Sequence, residues 1–267
     1  MFAEIGSEGF GEVRRLFEGP KQYLPVLSIV DGVYPGRVFV DNLDHPSAAV
    51  VWALGRWGYI EAVSGEENLR DELVRLIERV VVPDSLRLGM NWFELYAANS
   101  PDWISRLDDW LRVLGGERHL ESVYVWDREQ YRRFRSGYAA PGGTELEIAE
   151  VPILPERVRQ APSVSEDIRS LTAVGCLAKG GNKIAARCVS NGFAAGAEFM
   201  IDIETFEPAE RGKGYATAAA VGLLDYCLER GLIPVWETTE DNEPSRRLAR
   251  KLGFVEVESY PVYAVEF

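Results

Sequence analysis

Histidine and cysteine are scarce in this chain. Among 267 residues there are two histidines, His45 and His119, and three cysteines, Cys176, Cys188 and Cys227. The histidines lie far apart and no two cysteines are closely spaced. A histidine metal centre or a zinc knuckle is therefore not expected, and an odd set of scattered cysteines gives no disulfide framework. The expectation is three reduced, mostly buried thiols in a cytoplasmic protein without a bound metal. Long apolar runs are missing too. No stretch approaches the roughly 18 apolar residues of a membrane span, and the opening M-F-A-E-I-G-S-E-G-F lacks the basic start and apolar core of a signal peptide. No membrane partner is expected. Positive charge is in deficit: 29 Lys and Arg face 42 Asp and Glu, a formal net charge of −13. So acidic a chain repels phosphate backbones, which argues against nonspecific nucleic-acid binding and favours a cationic ligand such as an amine.

What is present divides the chain in two. The run S-G-Y-A-A-P-G-G-T at 136–144 is rich in small residues, proline and glycine, and reads as a linker. It predicts domains at 1–138 and 139–267. In the first, residues 37–40, 48–54 and 59–63 are β-branched and aromatic between turn signals, and predict three strands. Residues 66–80 carry Leu69, Leu73, Leu76, Ile77 and Val80 at spacings of three and four, which predicts a helix. A strand at 92–97 follows, then a helix capped by Ser100, opened by Pro101 and stopped at Gly115 and Gly116, then a strand at 120–126. The tryptophans Trp52, Trp57, Trp92, Trp103, Trp110 and Trp126 crowd this half, chiefly as core.

The second half repeats the order. Strands are predicted at 184–189 and 197–206, the latter alternating Phe199, Ile201 and Ile203 with Met200, Asp202 and Glu204. A helix from about 216 to 230 has the apolar stripe Ala219, Ala220, Leu223, Leu224, Cys227 and Leu228 and stops at Gly231. A strand at 233–238, a helix capped by Asn242 and ended by Gly253, and strands at 254–259 and 262–267 complete it. Asn99 to Leu114-Gly115 occupies the place of Asn242 to Leu252-Gly253, which suggests an internal duplication. The fold class predicted is α/β in the mixed, α+β sense: two similar domains, each a mostly antiparallel mixed sheet flanked by helices.

At the strand-to-helix junction stands E-P-A-E-R-G-K-G-Y-A-T, 207–217. Such a turn leaves the first backbone N–H groups of the helix unpaired, and the helix dipole adds partial positive charge. A pyrophosphate fits there if glycines keep side chains out of the way. Arg211 and Lys213 would add charge-assisted contacts. A P-loop is excluded because Gly214 follows Lys213, and a dinucleotide fingerprint because Thr217 stands where a third glycine or alanine is needed. The structural alternative is a glycine turn with solvated cations.

This run, together with I-D-I-E-T-F before it and I-P-V-W-E-T and D-N-E-P-S-R-R-L-A-R-K-L-G-F after it, resembles the GNAT superfamily of acyl-CoA-dependent N-acetyltransferases over residues 175–267, in a sub-branch with an extra N-terminal half. The resemblance implies that acetyl-CoA lies in a cleft of the C-terminal domain. Its pantetheine arm would bond to strand backbone at 204–206, including Thr205 and Phe206, and at 235–238. Its pyrophosphate would rest on the turn Arg211, Gly212, Lys213, Gly214, Tyr215, Ala216 and Thr217, with Asn242 and Ser245 facing the arm or the thiol. Asn242 has a simpler role as a helix cap. The family's base is often a glutamate on the strand before the turn. Glu198, Asp202 and Glu204 share one face there; Glu204 is the first choice and Glu237 the second. Many members place an acid tyrosine seven residues after the asparagine, where this chain has Ala249; Tyr260 and Tyr263 are the candidate substitutes. The first half offers S-G-E-E-N-L-R (64–70) at the matching turn. There Glu66 and Glu67 put negative charge where a pyrophosphate would bind, so the N-terminal half is expected to be a degenerate GNAT-like domain without a CoA site, walling the substrate cleft.

The function implied is transfer of an acetyl group from acetyl-CoA to a primary amine of a small molecule. The alternatives are a CoA-binding sensor that has lost turnover and a scaffold in which the glycine turn merely connects elements. Oligomeric state, monomer or homodimer, is not legible.

Overall fold

The β-branched runs of the first half form an antiparallel meander. In the computed structural model, which describes residues 2–63, 69–98 and 100–267, β1 (Ala3–Ile5) leads to two short helices, α1 (Phe10–Arg14) and α2 (Leu24–Val30). Then come β2 (Gly36–Val40), β3 (Ala48–Ala53) and β4 (Gly58–Ala62). These four strands pair antiparallel in sequence order. The helices α3 (Leu69–Leu76) and α4 (Val82–Arg87) follow, then β5 (Trp92–Tyr96), parallel to β4, and α5 (Pro101–Arg112). Ser100 caps α5, accepting the Trp103 N–H at 3.2 Å.

The expected helix at 66–80 is longer than its period suggests. Its start at Glu66 and Glu67 lies outside the described residues, as does Asn99. Beyond Leu76 the chain takes a π turn at Ile77–Val81 and continues as α4. The turn shifts the buried face by one, so Val81 is fully buried and Val80 is not. Pro83 has no N–H to donate to the preceding turn, and a widened turn accommodates it.

The chain continues through β6 (Glu117–Trp126), α6 (Arg128–Ser136), β7 (Thr144–Pro152), α7 (Glu156–Gln160) and α8 (Glu166–Arg169). Then come β8 (Thr172–Gly180), β9 (Lys183–Ala195), β10 (Glu198–Thr205), α9 (Tyr215–Arg230), β11 (Ile233–Thr239), α10 (Glu243–Lys251) and β12 (Phe254–Glu266). The strands β7 to β10 pair antiparallel in sequence order, and β11 is parallel to β10. Strand, helix and strand direction thus repeat the first half. The two strands expected at 254–259 and 262–267 are one, because the fixed φ of Pro261 is compatible with extended chain.

Two units emerge. One holds Met1–Glu121, Leu154–Arg169 and Glu258–Phe267; the other holds Ser122–Ile153 and Ser170–Val257. The linker-like stretch at 136–144 lies wholly inside the second. Tyr131 of α6 is fully buried there, its hydroxyl donating to Val221 O at 3.1 Å and Asp225 Oδ1 at 2.8 Å. In the first unit, residues 262–266 of β12 pair antiparallel with β5. In the second, the stripe Ala219, Ala220, Leu223, Leu224 and Cys227 of α9 is fully buried. Gly222 lets α9 approach β8, since a Cβ there would lie 2.4 Å from Cys176 Sγ. The three cysteines are free and buried, and burial pushes the Cys176 thiol up to about 11 and the Cys227 thiol up to about 12. No helix among the described residues is long and apolar enough to cross a membrane.

Candidate active site

The site begins where two parallel strands part. The register of β10 with β11 runs from Glu198↔Ile233 to Ile201↔Trp236. Both strands continue past that point, β10 to Thr205 and β11 to Thr239. β10 stays paired with β9 as far as Thr205↔Ala186. A bulge on β9 precedes the parting: four residue steps, Ser190 to Ala194, oppose two on β10. It turns the buried Asn191 so that its amide donates to Asp202 at 3.5 Å.

A groove follows the opening. Its inner part, about 320 Å³, is lined by Asp202, Glu204, Glu237 and Arg187 together with Asn242 and Ser245. Glu204, Asn242 and Ser245 also line a middle part of about 690 Å³ that extends to Thr205, Phe206, Arg211 and Gly212. An outer part of about 460 Å³ shares Thr205, Gly212 and Ala216 with the middle and reaches Gly214, Tyr215, Thr217, Arg247 and Lys251. Most of the residues singled out in the sequence therefore lie along one channel. Arg247 and Lys251, which the sequence reading passed over, are four residues apart on α10 and share a face. That spacing was the signal that would have found them.

The glycine turn has the conformation its sequence requires. Gly212 and Gly214 have φ of +77° and +91°, where a side chain is strained. Gly214 is the N-cap of α9, and no side chain caps the helix. The first helical bond, Ala218 N–H to Gly214 O, is 3.0 Å. The amides of Tyr215, Ala216 and Thr217 thus precede the first acceptor of the helix. The two cations differ. Lys213 turns its ammonium onto both oxygens of Glu210, each at 3.1 Å, whereas Arg211 lines the groove. The Tyr215 ring lies against β8: a Cβ on Gly180 would sit 2.6 Å from its hydroxyl.

The remaining polar groups have structural partners. Asn242 caps α10, its side-chain oxygen accepting the Ser245 N–H at 3.3 Å. The Ser245 hydroxyl accepts the Trp236 indole N–H at 3.0 Å. Asn242→Ala is expected to cost about 1 kcal/mol of stability, read as a lower denaturation midpoint at unchanged slope. Phe206 N–H donates to Ala185 O at 3.1 Å, so this part of the strand edge at 204–206 is already bonded to β9. Glu204 is exposed and paired across the strands with Arg187, Nη2 to Oε2 2.9 Å. The Arg187 guanidinium lies 5.5 Å from the Phe206 ring centre.

Ala249, which stands in the tyrosine position, is fully buried. Tyr260 and Tyr263 belong to the first unit and are buried in it. Tyr263 donates to Ile104 O at 3.1 Å, and burial with the nearby Asp108 pushes its phenol up to about 12. Neither is among the residues that line the groove.

In the first unit the corresponding strands, β4 and β5, are in register over Gly58↔Leu95 and Tyr59↔Tyr96. Past that point the fold's own side chains bind them. Gln22 Nε2 donates to Ala97 O at 3.1 Å, and Glu61 accepts from Tyr23 at 2.7 Å and from Trp103 at 3.0 Å. The turn at 64–68 lies outside the described residues.

An antiparallel meander, a glycine-led helix and a parallel strand that leaves its neighbour define a mixed α/β fold with a groove between two parted strands. Residues 169–263 match the family model described as GNAT acetyltransferase. Over 272 residues the chain is 25% identical to the uncharacterized N-acetyltransferase YdfB of Bacillus subtilis (strain 168), covering 98% of each. It is similar in fold to the GCN5-related N-acetyltransferase-like protein from Streptococcus suis 89/1591, with a TM-score of 0.67, 20% identity, and 97% and 99% of the two chains covered. It is also similar to a tandem GNAT protein from the clavulanic acid biosynthesis pathway, with a TM-score of 0.60, 14% identity, and 100% and 98% covered. The GNAT match thus covers residues 169–263, and the whole chain is similar in fold to a tandem GNAT structure.

Proposed function

We propose that the protein is a cytoplasmic N-acetyltransferase that moves an acetyl group from acetyl-CoA to a primary amine of a small molecule by direct transfer. The observation that carries this reading is the groove between β10 and β11, which runs from a cluster of carboxylates to uncapped helix amides. The amides of Tyr215, Ala216 and Thr217 hold the pyrophosphate, with Gly212 and Gly214 leaving space and Arg211 adding charge. Arg247 and Lys251 supply further cations at the outer end. The pantetheine arm lies in the strand opening beside Asn242 and Ser245, which places the thioester near Glu204.

Acceptance of an amine is favoured by Asp202, Glu204 and Glu237, three carboxylates against the one guanidinium of Arg187. Only a neutral amine attacks a thioester, so a group must take its proton. Glu204 has that role. Its pairing with Arg187 fixes the carboxylate against β9 and leaves oxygen lone pairs for the amine or a bridging water. The CoA thiolate leaves without a tyrosine acid, since water can protonate it. The first unit is read as having no CoA site: Gln22 holds the Ala97 carbonyl, and Tyr23 and Trp103 hold the Glu61 carboxylate, past the point where β4 and β5 part.

The test is thiol release from acetyl-CoA over a panel of amines. Glu204→Gln is expected to lower the rate on the order of 10²-fold or more with CoA binding retained; an unchanged rate refutes the base assignment. The second reading, a CoA-binding regulatory module without turnover, is favoured by one observation, the buried Ala249 in place of a phenol. It is supported if the wild type binds CoA yet releases no thiol with any amine.

A further inference from the structure

In acetyl transfer the departing sulfur takes on negative charge, and one hydroxyl of the groove has a hydrogen to give. Ser245 is half-buried in the first turn of α10. It lines both the inner and the middle part of the groove, as Glu204 does from β10. The two side chains thus meet the same junction from different elements.

A serine hydroxyl has one O–H to donate and two lone pairs with which to accept. One lone pair of Ser245 takes the Trp236 indole N–H at 3.0 Å. Among the described residues nothing accepts from the hydroxyl in return. Trp236 is 2% exposed, and it is the last residue of β11 in register with β10, opposite Ile201. Its indole is therefore held at the apex of the strand opening and fixes the serine oxygen there. A donor arriving from the buried side turns the serine hydrogen away from itself, toward the groove. Ala249 lies one turn further along the same face of α10 and is fully buried. The hydroxyl that this face of the helix offers to the groove thus comes a turn earlier, at Ser245.

We propose that Ser245 is a catalytic residue whose O–H donates to the CoA sulfur as the thioester breaks, with Trp236 as the positioning residue behind it; this rests on the acetyl-transfer reading of the groove. The amine nitrogen bonds to the acyl carbon. The carbon–sulfur bond breaks, and its electron pair goes to sulfur. Glu204 takes the proton from nitrogen, and water protonates the thiolate. Ser245 itself transfers no proton. A hydrogen bond to an ionised partner is about twice as strong as one between neutral groups. The contact is therefore stronger to the forming thiolate than to the thioester, and that difference is what lowers the barrier. The first turn of α10 adds to the same preference, because a helix N-terminus carries partial positive charge.

The test has a binding arm and a rate arm, both on the full chain. The binding arm is calorimetry above the ordinary thiol pKa of about 8.5, with CoA and with desulfo-CoA, which carries hydrogen in place of the thiol. The wild type is expected to bind CoA about tenfold or more tighter than desulfo-CoA. Ser245→Ala is expected to lose that preference, and Ser245→Thr, which keeps a hydroxyl, to retain it. In the rate arm Ser245→Ala lowers kcat by about tenfold or more with the KM for the amine unchanged. Ser245→Ala also leaves the Trp236 N–H without its acceptor, which is unfavourable by itself. The double variant Ser245→Ala, Trp236→Phe removes donor and acceptor together, and is expected to stay as slow as Ser245→Ala. Recovery of kcat in the double variant would mean that Ser245 serves only to hold Trp236, and would overturn the proposal. So would a Ser245→Ala protein that keeps the wild-type preference for CoA. A wild type that binds both compounds alike overturns the proposal alone, whereas one that binds neither overturns the acetyl-CoA reading as well.

Discussion

Gly214→Asp is expected to weaken CoA binding by at least about 100-fold, close to 2.7 kcal/mol, while the protein stays folded. Gly214 is the N-cap of α9 at φ +91°, and a Cβ there would lie 3.0 Å from Pro141 Cγ. The side chain therefore has room only by displacing a proline ring at the edge of the turn. The carboxylate it brings is favourable for the helix, since it answers the same unpaired amides and the same dipole. What is good for the helix is bad for the ligand, because the new anion stands where the pyrophosphate would. Folding and binding thus move apart in this variant, and calorimetry with CoA beside a denaturation curve reads both. Arg211→Ala, which removes charge and leaves the amides, should cost about tenfold. A folded Gly214→Asp protein that binds CoA within about threefold of the wild type would show that the phosphates rest elsewhere.

Gly253→Ala is expected to destabilise the protein by roughly 3 kcal/mol and to lower Tm by roughly 6–12 °C. The residue follows α10 at φ +85°, where an alanine is strained by about 1 kcal/mol. A Cβ there would also lie 2.7 Å from Tyr131 N and 2.9 Å from Asp127 O, both backbone atoms at the start of α6. Backbone cannot rotate away as a side chain does, and relieving such a clash typically costs about 1–3 kcal/mol more. The Asp127 N–H bond to Gly253 O, 2.9 Å, would be displaced with it. Gly231→Ala is the matched control. It has a similar φ of +69° but nothing within contact distance, so only the backbone strain of about 1 kcal/mol is expected. Equal losses in the two variants would mean that the close approach of α6 is not what fixes Gly253.

These two glycines show how much of the molecule was legible in its sequence. Both were recognised as helix boundaries, and both are. That Gly253 also touches the backbone of α6 was not legible, because nothing in a linear string says which distant segment arrives there. The glycine turn, the stripe of α9 and the Asn242 cap were readable because each is a local requirement of the backbone. The helix α6 was missed although D-R-E-Q carries a capping pattern: Asp127 accepts from the Glu129 and Gln130 amides at 2.9 and 3.0 Å. Its single fully buried residue, Tyr131, makes too thin a stripe to show a period. The helices α1 and α2, five and seven residues long, are likewise too short for periodicity to emerge. The strand β7 had its signal in the alternation of T-E-L-E-I-A-E-V, but its apolar residues are largely exposed. At the candidate site, the carboxylate face of β10 was readable from its alternation. The engagement of Glu204 by Arg187 was not, because it depends on the register of β9 against β10.

The assignment of residues 258–267 to the first unit has a consequence for biosynthesis. When the ribosome has made residues 1–121, the outer edge of β5 has no partner, and it gains one only when residues 262–266, some 140 positions downstream, leave the exit tunnel. A nascent chain must therefore carry an open sheet edge through most of translation, the condition under which strands recruit wrong neighbours. Cutting the gene at the linker-like stretch would leave one fragment unsealed and give the other an orphan strand, so the two units are inherited together or not at all.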